Sequence, residues 1–464
     1  MPDVVQLGER RELFVDEFLI ADMRGTRLQL SRPERREVVL TFDAPWEDNV
    51  AFPLSVFQDQ GSVRLVYRAA IPDLTREHEG IAALAESTDG GRTFQRPDLG
   101  LVEFAGTKRN NILAIGGPPG VPPAFLDTNP NCRADARYKG LTSKWQALYA
   151  MCSPDGLRWR AMTPEPIRME GTFDTVNTAF WDSLGGSYRC FTRFFAQVPA
   201  EGEDPDDPNA RLTAVRAIQS STSPDFTNWT PPVPHQYADQ ERLTQLYTNA
   251  TLPCPGAEHI YLAFPNRFVE ERVSKPDYPY QGVNDALFMA SRDCIHWTRY
   301  LEAWVRPGLD PRNWTERNNY PVWGILQTSP EEWSTYVTEH YRQRDVPGRL
   351  RRLSIRPHGL VSVHADHEGG ELVTKPFAFS GRELRLNYST SAAGSVRVEL
   401  QDEAGSPLAG HRLTDMQPLF GDELDRAIAW NGGTDLSQFI GTPVRLRLVL
   451  RDADVFAFRT ANRS

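Results

Sequence analysis

Ser87-Thr88-Asp89-Gly90-Gly91-Arg92-Thr93-Phe94 is a polar turn closed by an aromatic residue, and the chain repeats it. Ser153-Pro154-Asp155-Gly156-Leu157-Arg158-Trp159, Ser223-Pro224-Asp225-Phe226-Thr227-Asn228-Trp229 and Ser291-Arg292-Asp293-Cys294-Ile295-His296-Trp297 follow. The serines step from 87 to 153, 223 and 291, intervals of 66, 70 and 68 residues. Ser and Asp side chains accept hydrogen bonds from nearby backbone N–H groups, so Ser-x-Asp folds the chain back on itself. The aromatic that follows can then pack into a sheet. One such turn says little, but four at near-constant spacing predict a repeat architecture.

The turns resemble the Asp-box of sialidases and related β-propellers, where the box joins the two outer strands of a blade. Composition agrees with an all-β reading. The 464 residues suffice for two domains, and 36 Pro, 33 Gly, 23 Phe, 14 Tyr and 11 Trp favour strands and turns over long helices. A net charge of −10 argues against a nucleic-acid partner, which needs a basic stripe. No apolar run spans a bilayer, and residues 1–20 lack the layout of a signal peptide. The expectation is a cytoplasmic protein, or a secreted one whose signal peptide is gone. Five scattered cysteines without CxxC spacing read as buried free thiols rather than disulfides or a metal site.

Along the chain, residues 1–40 are expected to pack on the propeller and supply a strand that seals the ring. Residues 41–365 divide into five blades. The first takes strands at 52–57, 63–68, 81–86 and 101–104, and the second takes 123–127, 138–142, 146–152 and 158–162. The third takes 178–182, 188–193 and 214–220. The fourth takes 247–252, 260–264, 286–291 and 298–303, and the fifth 320–326, 333–339, 353–356 and 360–364. Residues 366–464 lose the boxes and alternate in short strands, which predicts a C-terminal β-sandwich. No low-complexity stretch separates the two, which favours rigid packing over a tether. The acidic loop 201–208 reads as solvated.

In a propeller, the residues entering each innermost strand share one face with the loops between strands two and three. That places Glu47 and Asp48, Asp174 and Asn177, Tyr247 and Asn249, and Glu316, Arg317 and Asn318 around one channel, with Asp127 from blade two. Converging carboxylates suit glycoside hydrolysis, which needs one acid of raised pKa and one ionised base or nucleophile. Asp48 and Asp174 are the first choice, with Glu316 and Glu339 as alternative acids. A separation of ~5 Å would retain configuration and ~6.5–9.5 Å would invert it. Each such Asp or Asn also serves as an ordinary turn-former. Arg68, Arg193 and Arg267 end second strands, placed to clamp a sugar carboxylate or sulfate, or to pair with the channel acids. His340, beside Glu339, is a supporting residue. No cofactor or metal motif is legible, although a channel ringed by carboxylates suits Ca²⁺.

Several motifs carry a wider resemblance. They are Leu13-Phe14-Val15-Asp16, Ala44-Pro45-Trp46-Glu47, Asp127-x-Asn129-Pro130, Arg137-Tyr138-Lys139-Gly140 and Phe173-Asp174-x-x-Asn177. Tyr247-Thr248-Asn249, Arg317-Asn318-Asn319-Tyr320-Pro321 and Phe420-Gly421-Asp422-Glu423-Leu424-Asp425 complete the set. Together they resemble a bacterial group of invertase-like proteins (glycoside hydrolase family 32/43-like). The resemblance implies a five-bladed β-propeller followed by a C-terminal β-sandwich, acting on carbohydrate. True invertases carry Asn-Asp-Pro, Arg-Asp-Pro and Glu-Cys on blades one to three. None matches cleanly here, so a fructan substrate is not implied. The expected function is hydrolysis of a glycosidic bond in an oligo- or polysaccharide. A sialidase-like hydrolase of acidic sugars and a non-catalytic carbohydrate-binding propeller are the alternatives. The partner is a carbohydrate, with neither nucleic acid nor membrane, and the oligomeric state is left open.

Overall fold

Each Ser-x-Asp turn closes in the same way in the computed structural model, which describes residues 4–70, 80–116, 120–144, 146–204, 207, 209–239 and 241–462. The serine hydroxyl accepts the N–H of Gly91, Gly156, Phe226 or Cys294 at 2.8–2.9 Å. One carboxylate oxygen of the Asp accepts two successive N–H groups further on, as Asp225 does from Thr227 and Asn228, both at 2.8 Å. The residue bonded to the serine is left-handed in every copy, with φ of 96°, 74°, 71° and 67°. Glycine fills that position in the first two turns; Phe226 and Cys294 hold it against the steric preference of L-residues. Gly91 has a second reason: a Cβ there would stand 2.2 Å from the Tyr336 hydroxyl. That hydroxyl donates to the Gly91 carbonyl at 2.6 Å and ties the first turn to the final sheet.

The turns give an expected result. Burial pushes their carboxyls up, but the converging hydrogen bonds outweigh it and hold Asp89 and Asp293 at about 2. Asp225 and Asp155 are lowered for the same reasons. A carboxyl depressed in the folded state contributes stability above its ordinary value of 3.8 and loses it as pH falls toward 2. Thermal midpoints should therefore drop across that window. Asp225→Asn should flatten the drop, and an unchanged acid profile in that variant would show that the turn contributes nothing.

The chain is almost entirely β, with four three-residue 3₁₀ turns as its helical segments among the described residues. Among the described residues no helix is long and apolar enough to cross a membrane. Two compact units result. The larger, Pro33–Cys254 with Glu258–Ser354, carries its sheets in a propeller-like succession. Phe52–Asp59, Ser62–Ala70, Ile81–Ser87 and Ile112–Ile115 form one antiparallel sheet. Ala124–Leu126, Tyr138–Lys144, Ala147–Ser153 and Arg160–Ala161 form the next, and Thr178–Asp182, Ser187–Pro199, Leu212–Ser223 and Val233–Pro234 the third. The final sheet joins Leu326–Ser329, Glu332–Glu339 and Arg349–Ile355 to Glu34–Thr41 from the start of the chain. Its interior is shared with the first sheet, where Val39, Leu40, Leu65, Tyr67, Tyr336 and Leu350 are buried in one cluster.

The sheets are not five equal blades. Four are four-stranded, whereas the segment from Gln236 to Val305 makes a seven-stranded sheet. There Asn266–Val269 pairs with Gln245–Leu246 as well as with Val283–Ser291, so the predicted strand at 247–252 does not form and Leu252–Cys254 takes the edge. The fourth strand of the first sheet is Ile112–Ile115 and not 101–104. The chain reverses at Ala105 and Gly106, both at positive φ, with Phe104 bridged to Thr107. In the final sheet the predicted strand at 360–364 is replaced by Glu34–Thr41. Pro357-His358-Gly359 turns the chain away, with His358 at φ 57°, and Val361–Ala365 pairs with Thr26–Leu30 instead. The acidic loop lies partly outside the described residues, at 205, 206 and 208.

The second unit is built from residues before Pro33 and after Ser354, with Pro255–Ala257. Its ten strands form one hydrogen-bonded network. Glu383–Asp402 and Val444–Ala461 pair along most of their length, with register breaks at Asn387–Tyr388 and Thr390–Ser395. Bulges of this kind bend a strand and increase its local twist. Alternate residues such as Val396, Val398, Leu446 and Leu448 are fully buried, which is the period-two signature of one covered face. All five cysteines are free, and burial pushes the Cys190 and Cys294 thiols well up.

Candidate active site

The loops that enter the first strands of the larger unit are held by buried amides. Asn177 donates to the carbonyls of Phe173 and Thr175 at 2.9 and 3.1 Å, which folds the segment carrying Asp174 into a tight hook. Asn249 accepts from the Thr178 hydroxyl at 2.6 Å and ties two neighbouring segments together. Asn318 accepts the N–H of Tyr341 at 2.9 Å, and Asn284 accepts that of Arg317 at 2.6 Å. These bonds fix an unusual backbone: Arg317, Asn319, His340 and Arg342 all have φ between 57° and 63°. Non-glycine residues in that region cost on the order of 1–3 kcal/mol each, and such strain gathers at functional sites.

A cavity of about 270 Å³ is lined by strands of the first two sheets and by loop residues beside the strands of the other three. Phe52, Leu54 and Arg68 come from the first sheet, and Pro123, Leu141, Thr142 and Ser143 from the second or its edge. Asp174, Thr175 and Val176 precede the third sheet, Tyr247 and Thr248 belong to the seven-stranded region, and Arg317 and Tyr320 precede the final sheet. Asp174 is the one carboxylate on the wall among the described residues. It bonds to Arg193, yet its side chain keeps 53% of its surface exposed. Arg193 is buried and its guanidinium lies 4.8 Å from the Tyr247 ring centre. Arg317 donates to the Tyr341 hydroxyl at 3.1 Å and meets Glu316 at 3.1 Å. Arg68 reaches the same hydroxyl at 3.4 Å. Burial lowers the Arg68 guanidinium below its ordinary pKa, and the neighbouring charge of Arg317 adds to the effect.

Of the residues singled out in the sequence, Asp174, Arg68, Tyr247 and Arg317 line the cavity, with Asn177, Asn249, Asn318 and Arg193 directly behind them. Glu316 is buried against Arg317 and Arg342. Asp48 accepts the N–H of Val50 at 2.8 Å and acts on Arg68 electrostatically. The others are engaged elsewhere. Glu47 is enclosed by Arg96 and the Tyr67 hydroxyl, and Asp127 by Lys139 and Tyr188. Arg267 pairs with Asp285 on its neighbouring strand, at 2.5 and 2.9 Å. Glu339 is held by Arg349 and Arg351, and His340 by Asp310. The carboxylates expected to ring a Ca²⁺ site are thus dispersed among basic partners, and among the described residues no cluster of three His, Cys, Asp or Glu is placed to hold a metal.

Sequence reasoning gave no role to the hydroxyl lining: Thr142, Ser143, Thr175, Thr248 and Tyr320. Tyr320 and Thr248 stood within quoted motifs, but Thr142, Ser143 and Thr175 carry no such signal. A second, larger cleft of about 540 Å³ lies between Asn49, Val50, the loop 274–280 and residues 342–345. There Tyr280 is stacked under the Arg342 guanidinium, 4.0 Å from the ring centre. Val50 lines this cleft, and its carbonyl is 3.5 Å from Arg68 on the cavity wall.

No family model and no curated protein sequence matches the chain. Among solved structures it is similar to the catalytic domain of a GH62 α-L-arabinofuranosidase from Coprinopsis cinerea, at 11% identity and a TM-score of 0.42, covering 70% of this chain and 97% of that one. An N-acetylgalactosamine deacetylase from F. plautii is similar at 10% identity and a TM-score of 0.41, covering 71% and 95%. A protein of unknown function from Dyadobacter fermentans is 12% identical with a TM-score of 0.35, covering 91% and 99%. Likenesses this distant transfer no residue, substrate or reaction to the chain.

Proposed function

We propose that this protein is a glycoside hydrolase whose reaction centre is the cavity around Asp174. The observation that carries the reading is an accessible carboxylate on the wall of a pocket lined from all five sheets of the larger unit or the loops beside them. The seven-stranded sheet counts as the remaining blade of a five-bladed propeller, the four Ser-x-Asp turns as Asp-boxes, and the second unit as a β-sandwich. Asp174 acts at the anomeric carbon or on its attacking water, and the second carboxyl is Glu316, with Asp48 as the alternative. The threonine and serine hydroxyls of the wall match the hydroxyls of a sugar ring, and the tyrosine rings its apolar faces. A screen of the full chain against aryl glycosides and plant or algal oligosaccharides tests this. Release of the aryl alcohol or of a reducing end, with a rate proportional to enzyme, is the expected result; no release from any of them sinks it.

The solitary position of Asp174 on the wall favours one second reading, a propeller that binds carbohydrate without turning it over. Saturable binding of an oligosaccharide that is recovered intact would establish it.

A further inference from the structure

Among the described residues, the arginines at the cavity wall outnumber the carboxylates paired with them. Asp174 is matched by Arg193, and Glu316 is divided between Arg317 and Arg342. Arg68 is left with neutral acceptors among the described residues: the Val50 carbonyl at 3.5 Å and the Tyr341 hydroxyl at 3.4 Å, both long for a hydrogen bond. Its Nε is shut off from solvent and has no hydrogen-bond partner, and Asp48 acts on it only through space. The Tyr320 hydroxyl, on the same wall, is equally enclosed and unpartnered. Buried donors are normally satisfied, and an under-bonded buried guanidinium is costly. Arg317 is drawn toward Arg68 rather than away from it, because both donate to the single Tyr341 hydroxyl. Two like charges converging on one phenol oxygen are an arrangement completed by an anion.

We propose that the cavity takes a sugar through an anionic substituent, a carboxylate or sulfate, seated between Arg68 and Arg317. The inference rests on the reading of this cavity as a carbohydrate site and names its substrate class. The planar forks of two arginines match a carboxylate or sulfate oxygen pair, and a neutral hydroxymethyl group would leave the Arg68 guanidinium without a charged acceptor.

Calorimetric titration of the full chain tests this without requiring turnover. The probes are D-glucuronate and D-galacturonate, galactose 6-sulfate, the neutral sugars glucose and galactose, and the bare anions acetate and inorganic sulfate. An acidic sugar is expected to bind about tenfold to a hundredfold tighter than its neutral counterpart, from charge-assisted hydrogen bonds. Whether the uronates or the sulfated sugar show the larger preference identifies the anion. Arg68→Gln and Arg317→Gln should each abolish the preference. Arg68→Lys, which keeps the charge but not the fork, should retain part of it and provides the test if Arg68→Gln does not fold. Equal binding of acidic and neutral sugars overturns the proposal, as does a bare anion that binds as tightly as the acidic sugar. Absence of hydrolysis would sink the reaction proposed above and leave the preference standing; hydrolysis of neutral glycosides with no acidic preference would do the reverse.

Discussion

Asp174→Asn is expected to lower kcat on any glycoside the enzyme cleaves by about 10²–10⁴-fold, the range lost when a positioned acid or base is removed. The substitution keeps the shape of the side chain and an oxygen that accepts from Arg193, so the hook closed by Asn177 should survive. What is lost is the negative charge at the cavity wall. Because Arg193 is buried and its Nε and Nη1 already lack partners, the variant is expected to be somewhat less stable, but folded at ambient temperature. KM should move little if Asp174 acts mainly in the transition state. Steady-state kinetics on the best substrate of the screen, beside a thermal melt, separates these effects. A folded variant with unchanged kcat would remove Asp174 from the mechanism.

The second large effect is on stability. Glu339 was one of the acids proposed from sequence, yet it lies fully buried between Arg349 and Arg351, both at 2.7 Å, with Arg35 at 3.7 Å. These arginines sit on the two strands that follow it in the final sheet, including the one contributed by the start of the chain. Burial pushes Arg35 below its ordinary pKa, and Glu339 is the largest influence raising it back. Removing one partner of a buried ion pair leaves an uncompensated charge and costs about 3–5 kcal/mol. Glu339→Ala should therefore lower the unfolding free energy by that order in a denaturant titration, and Glu339→Gln should lie in the same direction. The folded fraction of either variant should retain activity. An unaltered denaturation midpoint together with lost turnover would instead make Glu339 a catalytic acid.

The contrast between Asp174 and Glu339 shows what a sequence can and cannot convey. Asp174 precedes a strand and Glu339 ends one, and local patterning does not tell which of them stays open. Their fates are decided by residues far along the chain: Arg193 leaves Asp174 half open, while Arg349 and Arg351 seal Glu339 away. The repeated turns were legible because each is closed by atoms within four residues of its serine. Most central strands were legible for the same kind of reason, since alternation such as that of Ser62–Ala70 is written in consecutive residues. Edge strands were not. Whether 101–104 or Ile112–Ile115 pairs with Ile81–Ser87 depends on a reversal at Ala105-Gly106, and both stretches are apolar. Much of the hydroxyl lining of the cavity was equally silent, because Thr142 and Thr175 resemble any other threonine until the fold brings them together.

The strand Glu34–Thr41 is made early and finds its partner late: Thr41 pairs with Arg349. At ~5–20 residues per second, about 15–60 s of synthesis separate the two. For that interval the growing chain carries a lone β-segment with exposed N–H and C=O groups, a template for pairing with other chains. Biogenesis is therefore the vulnerable moment in the life of this molecule. Ribosome-associated chaperones have a defined target in the nascent polypeptide, and a message truncated before Arg349 would yield an open, adhesive product.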